Sequence, residues 1–287
     1  MATELRTRDT TLTGLDALEL AGRSGRRSLG HRTWAATWPK LVALAIFIGF
    51  WQIVVESGWR DPWILPGPAV VGEELWRQLQ TANLWEGVFN TMNRALLGFG
   101  ISVLGGSLLG FAVARVKVLR AGIGSMITAL QTLPSVAWFP FAILIFGLNE
   151  SAIFFVVVMG AAPSIANGVI SGIDYVPPIW LRAGKNIGAR GLSLYRFVVT
   201  PAALPAFIAG LKQGWAFSWR SLMAGELLSI IPGMPALGVQ MTAYRDLSNA
   251  KGLLATLVVI FFIGILVDAI FGVIERSVRR RRGLAEA

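Results

Sequence analysis

Long uncharged runs of apolar residues dominate the pattern of hydrophobic and polar positions along this chain. Residues 95–114, 121–146 and 151–173 hold 20, 26 and 23 consecutive residues without a charged side chain. A helix needs about 20 such residues to cross the hydrocarbon core of a bilayer. These runs therefore predict three membrane-spanning helices.

Three further segments bring the predicted number of spans to six. Residues 39–56 form a shorter apolar run between Trp38 and Trp59, and tryptophan rings prefer the membrane interface. Residues 202–230 and 252–274 are apolar runs interrupted by charged residues. We expect an all-α polytopic membrane protein with six transmembrane helices.

The composition agrees with a membrane protein and excludes several other classes. Hydrophobic residues make up 54% of the 287 positions and charged residues 15%, whereas soluble domains carry roughly 25% charged residues. Cysteine is absent, which excludes disulfides and thiolate metal sites. The one histidine, His31, lies in a polar N-terminal segment, and we expect it to be a solvated surface residue.

The basic residues predict an orientation. With the N-terminus inside, the inner segments hold nineteen Lys and Arg residues and the outer segments five. Cytoplasmic loops carry such an excess in membrane proteins, so both termini are predicted to be cytoplasmic in the cell membrane. Topology explains the net charge of +10 better than nucleic-acid binding does, because the segments between the basic clusters lack the alternation of a soluble domain.

Two smaller patterns concern loops and packing. The stretch DPWILPGPAVVGEELWRQLQ, residues 61–80, has three prolines and then an amphipathic run, which predicts an interfacial helix, with a plain loop as the alternative. Glycine pairs four residues apart recur in the apolar runs and predict close helix packing, with dimerisation as the alternative. These pairs are Gly106 and Gly110, Gly168 and Gly172, and Gly210 and Gly214.

The segment 181–215 differs from the apolar chain around it, because four basic residues lie between positions 182 and 196. The small residues Ala183 and Gly184 precede Gly188 by one helical turn. Glycine reaches backbone angles that other residues avoid, and Pro201 suits the first turn of a new helix. The pattern predicts a compact helix–turn–helix element shaped for docking.

This segment resembles the cytoplasmic EAA loop of bacterial ABC importer permeases. The family pattern is Glu-Ala-Ala, three residues, Gly, nine residues, then Ile, any residue, Leu and Pro. The chain keeps this spacing and departs from the pattern at Arg182 for Glu, Gly184 for the second Ala and Thr200 for Leu, with Val198 in place of Ile. The matching segments are Arg182-Ala183-Gly184, Gly188 and Val198-Val199-Thr200-Pro201.

Other motifs are similar to one branch of that family, the permeases for nitrate, sulfonates, taurine and bicarbonate. They are ILPGPAVV, QTLPSVAWFPFAILIFGLNE and PAALPAFIAGLKQGWAFSWRSLMAGELL. The resemblance implies a type I ABC importer permease fold over residues 38–275, with a coupling loop at 174–200. Residues 1–37 and 276–287 would be a cytoplasmic N-terminal tail and a basic cytoplasmic C-terminal tail.

The resemblance also implies partner subunits, one of which would bind ATP in place of this chain. The chain has no GxxxxGK[ST] loop, so it lacks the phosphate cradle of an ATPase. ATP and Mg would be bound by a separate ATPase subunit. This subunit would contact the loop at Arg182, Ala183, Gly184, Gly188 and Pro201. An extracytoplasmic solute-binding protein and a second permease copy would complete an importer of small anions such as sulfonates, taurine, nitrate or bicarbonate.

Polar residues inside the predicted spans are candidates for the translocation path, because an ionisable group in hydrocarbon is costly. Arg220 would suit an anionic substrate, and Glu226 lies six residues further along. For both, the alternatives are an ion pair within the bundle or a side chain that reaches the interface. Gln131, beside the helix-perturbing Pro134, is a neutral candidate, with helix packing as the alternative.

Two other functional classes fit the sequence less well. An ion-coupled secondary transporter is the main alternative, and it would be favoured by inverted repeats, which the sequence does not reveal. A membrane enzyme would need clustered catalytic side chains, and the isolated acids of this chain do not supply them. We expect Asp268, in the last span, to make a helix–helix contact rather than to carry protons.

Overall fold

The fold is described from a computed structural model, which covers residues 29–229, 231 and 233–281. Most of the predicted N-terminal tail and the last six residues lie outside this range, as does the side chain of His31.

Ten helices of eight residues or more account for most of the described chain, and no strand occurs among these residues. The helices are α1 (Leu29–Glu56), α2 (Pro68–Leu79), α3 (Ala82–Arg115), α4 (Lys117–Thr132), α5 (Phe139–Phe146), α6 (Glu150–Asp174), α7 (Pro178–Asn186), α8 (Thr200–Leu228), α9 (Leu237–Asp246) and α10 (Ala250–Arg281). The predicted all-α class is confirmed.

Helix α1 belongs to a separate structural unit that ends at Trp59. It begins at Leu29, within the segment assigned from sequence to the tail, and Pro39 lies inside it. Its stretch Thr37–Glu56 is apolar and long enough to cross a membrane. Apolar side chains point outward on all sides of this stretch, as expected of a helix surrounded by lipid.

Five described helices are long and apolar enough to span a membrane, namely α1, α3, α6, α8 and α10. The predicted third span over 121–146 is broken in the structure, because Lys117–Thr132 and Ser135–Phe146 meet at a bend of 103°. Pro134 has no backbone N–H and drives the preceding Leu133 into an extended conformation, which ends α4. The described part of the chain therefore holds five candidate spans, or six if the bent pair counts as one.

Helix α6 lies between α3 and α8, and glycines bring the three backbones together. A Cβ atom on Gly106 or Gly110 would lie 2.6 Å from a backbone carbonyl oxygen of α6, and one on Gly168 would lie 2.7 Å from the Cα of Gly210. Gly172 and Gly214 have equally close neighbours across the same helix pairs. The prediction that the glycine pairs mediate packing is confirmed within the chain.

Apolar side chains fill the space between these helices. Ala95, Ile153, Val157, Trp215 and Leu222 form one buried cluster. At its edge, α8 is tied to α10 by an ion pair between Lys212 and Asp268, whose Nζ and Oδ1 atoms are 3.3 Å apart. The predicted helix–helix contact of Asp268 is confirmed.

The amphipathic run after the prolines forms α2, so the prediction of a helix there is confirmed. Its buried face is polar and is tied to the beginning of α10. The side-chain amide of Gln78 donates to the carbonyl oxygen of Gly252 and accepts from the hydroxyl of Thr256. Next to it, hydrogen bonds from Arg77 hold the pKa of the Glu74 carboxyl below its usual value.

Candidate coupling loop and translocation cavity

The connection from α6 to α8 contains the predicted helix–turn–helix element. Helix α7 begins at Pro178, where a missing backbone N–H costs nothing. After a turn, residues 192–194 form a short helical segment and Tyr195–Val199 a π-helical turn that continues into α8. Pro201 occupies the first turn of α8, as expected.

Gly188 closes the turn after α7. Its φ angle is +90°, a value that L side chains rarely adopt. Its N–H donates to the carbonyl oxygen of Lys185, and the N–H of Ala189 donates to that of Gly184, so the last carbonyls of the helix are satisfied. No atom lies within 4 Å of a Cβ placed on Gly188. Glycine is therefore needed here for backbone conformation and not for space.

The close packing contact within the element is made by Gly184. A Cβ atom there would lie 2.8 Å from Cγ2 of Val198 and 3.0 Å from Cδ1 of Leu194. This contact explains why glycine stands where the family pattern has its second alanine. Arg182 and Ala183, in contrast, are exposed, so their side chains are open to another molecule.

Large apolar side chains also protrude from this element into the surroundings. Ile187 and Leu192 are each 85% exposed, and Ile179 and Trp180 are more than half exposed. Soluble surfaces rarely expose so many apolar side chains together unless a partner covers them. The element therefore has the character of an interaction surface.

One contact ties the end of α6 before this element to α4, and another ties the element itself to α3. Arg120 of α4 makes a double hydrogen bond to Asp174, the last residue of α6. The guanidinium carbon of Arg115, at the end of α3, lies 4.3 Å from the ring centroid of Tyr195. The Arg115 contact therefore links the element directly to the end of α3.

A cavity of about 300 Å³ brings together three of the four predicted path residues. Gln131 and Pro134 contribute from the break after α4, and Arg220 contributes from α8. The wall between them includes Gly160 and Phe217. Broken helices in membranes are tolerated where they line such cavities.

Arg220 is the charged group of this cavity. Its Nε donates to the carbonyl oxygen of Ala216 at 3.0 Å, and its guanidinium carbon lies 4.7 Å from the ring centroid of Phe217. No carboxylate among the described residues forms a salt bridge with it. The cavity therefore holds a positioned cation with unused donors.

Neutral polar groups complete the lining. The amide nitrogen of Gln131 donates to the carbonyl oxygen of Pro163 at 3.1 Å. Ser135 lies within hydrogen-bond distance of Ser221, with 2.6 Å between the two hydroxyl oxygens. An anion in the cavity would meet one cation and several groups able to donate or accept hydrogen bonds.

Glu226, the fourth predicted path residue, does not line this cavity. Its side chain is fully buried and accepts hydrogen bonds from the Thr91 hydroxyl at 2.9 Å and from the Gly238 N–H at 3.1 Å. The guanidinium of Arg94 lies 3.3 Å away. The structure thus realises the alternative considered from sequence, an ion pair inside the bundle.

Sequence reasoning missed Arg94, which it counted among the outer basic residues. The side chain is 3% exposed, and its Nε donates to Glu150 at 2.9 Å in addition to the contact with Glu226. A buried acid in an apolar span needs a partner, so Glu226 itself was the signal that a buried cation existed. The sequence did not show that Arg94 was this cation, because Arg94 lies 132 residues before Glu226.

No cluster of three or more His, Cys, Asp or Glu residues that could hold a metal ion occurs in the described ranges.

Comparison with known proteins identifies a family for most of this bundle. Residues 102–280 match the family described as binding-protein-dependent transport system inner membrane component. The riboflavin transport system permease protein of Chloroflexus aurantiacus is 28% identical over 85% of this chain and 91% of its own length. The taurine transport system permease protein of Escherichia coli K12 is 26% identical over 78% of this chain and 82% of its own length.

Solved structures agree on the fold. An inward-facing form of the MetNI methionine ABC transporter matches 68% of this chain and 94% of its own, with a TM-score of 0.52 and 23% identity. An amino acid ABC transporter gives a TM-score of 0.55 at 17% identity over 69% of this chain and 94% of its own. The expected type I permease fold is confirmed. The chain belongs to the family of binding-protein-dependent transport system inner membrane components.

Proposed function

We propose that this chain is the permease subunit of an ATP-driven importer for a small anion. Relatives named as permeases for taurine, aliphatic sulfonates and nitrate support this substrate class. Membership of the family argues against the ion-coupled secondary transporter considered from sequence.

The observation that carries the anion proposal is the unpaired Arg220 in the cavity beside Gln131. A cation without a carboxylate partner is costly inside a membrane protein unless it meets water or an anion. Charge-assisted hydrogen bonds from a guanidinium suit the oxygens of a sulfonate, nitrate or bicarbonate. The ring of Phe217 supports the guanidinium from one side, which limits the orientations that Arg220 can take.

The helix–turn–helix element is the proposed contact with the ATPase. Its exposed residues include Arg182, Ala183 and Gly188, and Gly184 and Pro201 hold its shape. ATP and Mg would be bound by the ATPase and not by this chain. Closure of two ATPases would move two such elements, one from each copy of a permease homodimer, and bias the equilibrium between inward- and outward-facing states.

The proposed topology places both termini and this element in the cytoplasm, and the solute-binding protein on the other side. The basic residues support it: burial of Arg94 leaves the outer segments with four other Lys and Arg residues, against nineteen inside. Anions would then enter at the end of the bundle that carries Glu150 and leave at the end that carries α7.

Uptake by proteoliposomes tests the anion proposal. The permease is reconstituted with its ATPase and binding protein, and uptake of labelled taurine, an alkanesulfonate, nitrate, bicarbonate and riboflavin is compared. We expect anion uptake by the wild type and, for Arg220→Gln, a decrease of about tenfold or more with ATP hydrolysis retained. Arg245→Gln, at an exposed ion pair with Asp246, is the control and should transport normally.

Two outcomes would contradict the proposal. Uptake of riboflavin and of none of the anions would place the chain with its riboflavin-transporting relative. Unchanged anion uptake by Arg220→Gln would show that the cavity cation plays no part in transport.

A further inference from the structure

A second cavity of about 300 Å³ lies between α3, α6 and the beginning of α8, at the end of the bundle that carries α7. Its walls are largely apolar. The residues used below are Ser107, Leu108, Phe111, Ile173, Tyr195 and Val199. None of the groups assigned to transport or coupling above lines it, apart from the π-helical turn that leads into α8.

The cavity opens along the side of α3. Leu108 and Phe111 line it and are 72% and 46% exposed. Because α3 is a membrane-spanning helix, such exposed apolar side chains face lipid. The opening is therefore lateral, toward acyl chains, and not toward an aqueous solution.

A positioned cation, Arg115, contacts one residue of the cavity wall, Tyr195, although it does not itself line the cavity. The guanidinium of Arg115 stacks on the ring of Tyr195, and that ring makes an edge-to-face contact with Phe111 at 6.1 Å between centroids. Arg115 forms no salt bridge with any carboxylate in the described residues. Its guanidinium donors are thus available above the apolar space.

The other charged groups nearby do not cancel this cation. Asp174, which follows the lining residue Ile173, is held by Arg120. Arg196 is exposed and its guanidinium carbon lies 5.6 Å from the ring centroid of Phe197. Lys117 is exposed two residues after Arg115. The net charge of the side chains at this end of the cavity is therefore positive.

The dimensions fit an amphiphile with an acyl chain. Ser107, Phe111 and Arg115 follow one another at four-residue intervals, so they lie on one stripe of α3 that is about 12 Å long. The lining includes Phe111, one helical turn before Arg115, and Ser107, two turns before it. A free inorganic anion would contact the cation alone and would leave the apolar walls unused.

We propose that this cavity binds one acyl chain of an anionic phospholipid, with the lipid phosphate on Arg115. Burial of methylene groups supplies affinity, and the guanidinium selects an anionic headgroup over a zwitterionic one. Tyr195 and Val199 belong to the π-helical turn between the ATPase-facing element and α8. A bound lipid would therefore brace this turn against α3, a consequence that rests on the function proposed above.

Retention of lipid by the purified permease–ATPase complex tests the site. The complex is extracted from membranes that contain phosphatidylglycerol and phosphatidylethanolamine, and bound lipids are counted by native mass spectrometry. We expect one phosphatidylglycerol per permease copy, and about fivefold weaker retention for Arg115→Gln, the effect of losing one basic contact. Arg115→Lys should retain the lipid, as should the neighbouring control Lys117→Gln.

A second variant tests the apolar part. Ser107→Phe should fill the deep end of the cavity and reduce retention of both lipids, while an unchanged thermal midpoint shows that the complex is folded. Equal retention of phosphatidylglycerol by the wild type, Arg115→Gln and Ser107→Phe would overturn the proposal. Equal retention of phosphatidylglycerol and phosphatidylethanolamine by the wild type would also overturn the proposal.

A protein occupant is the remaining outcome that contradicts the proposal. The chain has no cysteine, so Leu108→Cys introduces a single thiol at the mouth of the cavity. A thiol-to-amine cross-link from this position to a second permease copy would show that a protein segment covers the cavity. These lipid measurements do not depend on the transported substrate, so their failure is distinguishable from failure of the proposed function.

Discussion

Arg94 and Glu226 form an ion pair at 3.3 Å although both side chains are almost completely buried. The same guanidinium also holds Glu150, whose side chain is 40% exposed. One cation therefore serves two carboxylates that come from α6 and α8. The cluster joins three helices at the end of the bundle opposite to α7.

The cluster predicts which substitution destabilises the fold more, Arg94→Gln or Glu150→Gln. Arg94→Gln leaves both carboxylates without their shared cation, and breaking a buried pair in this way costs about 3–5 kcal/mol. Glu150→Gln should cost much less, because Glu150 reaches solvent and Arg94 keeps Glu226. Thermal unfolding of the detergent-solubilised protein measures the order. Arg245→Gln, at an exposed pair, is the control, and equal midpoints for Arg94→Gln and Glu150→Gln would contradict the expectation.

Adjacent glycines of α3 provide a matched test of helix packing. A Cβ on Gly106 would lie 2.6 Å from the carbonyl oxygen of Ala162, whereas one on Gly105 would meet nothing within 4 Å. Gly106→Ala should destabilise the bundle by about 1–3 kcal/mol, since overpacking against backbone forces the helices apart. Gly105→Ala should leave the thermal midpoint unchanged or raise it slightly. Similar losses in the two variants would contradict this packing.

Substitutions of Gly188 should impair coupling between the ATPase and transport without preventing insertion into the membrane. Gly188→Ala forces an alanine to φ +90°, at a cost of about 1–2 kcal/mol, and Gly188→Trp adds bulk on an exposed surface. We expect normal membrane insertion, with reduced uptake for Ala and no uptake for Trp, measured by transport into proteoliposomes beside a membrane-fraction assay.

Gly147 is the matched control for this backbone strain. It has φ +74° between α5 and α6, with only the side chain of Asn149 as near as 4.0 Å to an added Cβ. Gly147→Ala should cause similar strain away from the ATPase-facing element and keep ATP hydrolysis coupled to uptake. Full transport by Gly188→Trp would count against the docking role of the element.

Much of the fold was predictable because hydropathy records burial in lipid directly. The apolar runs located α3 and α6. The run interrupted by Lys212 forms α8, whose charged residues have partners or line a cavity. The spacing of the glycine pairs predicted close packing, since small residues four apart have few other uses in a helix.

The third span shows what hydropathy cannot record. Residues 121–146 are uniformly apolar, but apolarity carries no information on direction, and the chain bends by 103° at Leu133 and Pro134. Pro134 was the residue in the sequence that could have indicated the bend. Arg94 shows a different limit, because its partners lie 56 and 132 residues away and only the packing of α6 and α8 brings them together.

The bend at Pro134 also bears on how the proposed path would be hydrated. The final carbonyl groups of a helix have no backbone N–H partners within it, and the last turn of α4 includes Leu130, Gln131 and Thr132, which line the Arg220 cavity. Non-helical backbone at membrane depth is tolerated where it lines a water-filled cavity. On the path proposed above, the break after α4 would therefore place water beside Arg220, so that a permeating anion would meet hydrated backbone as well as the guanidinium.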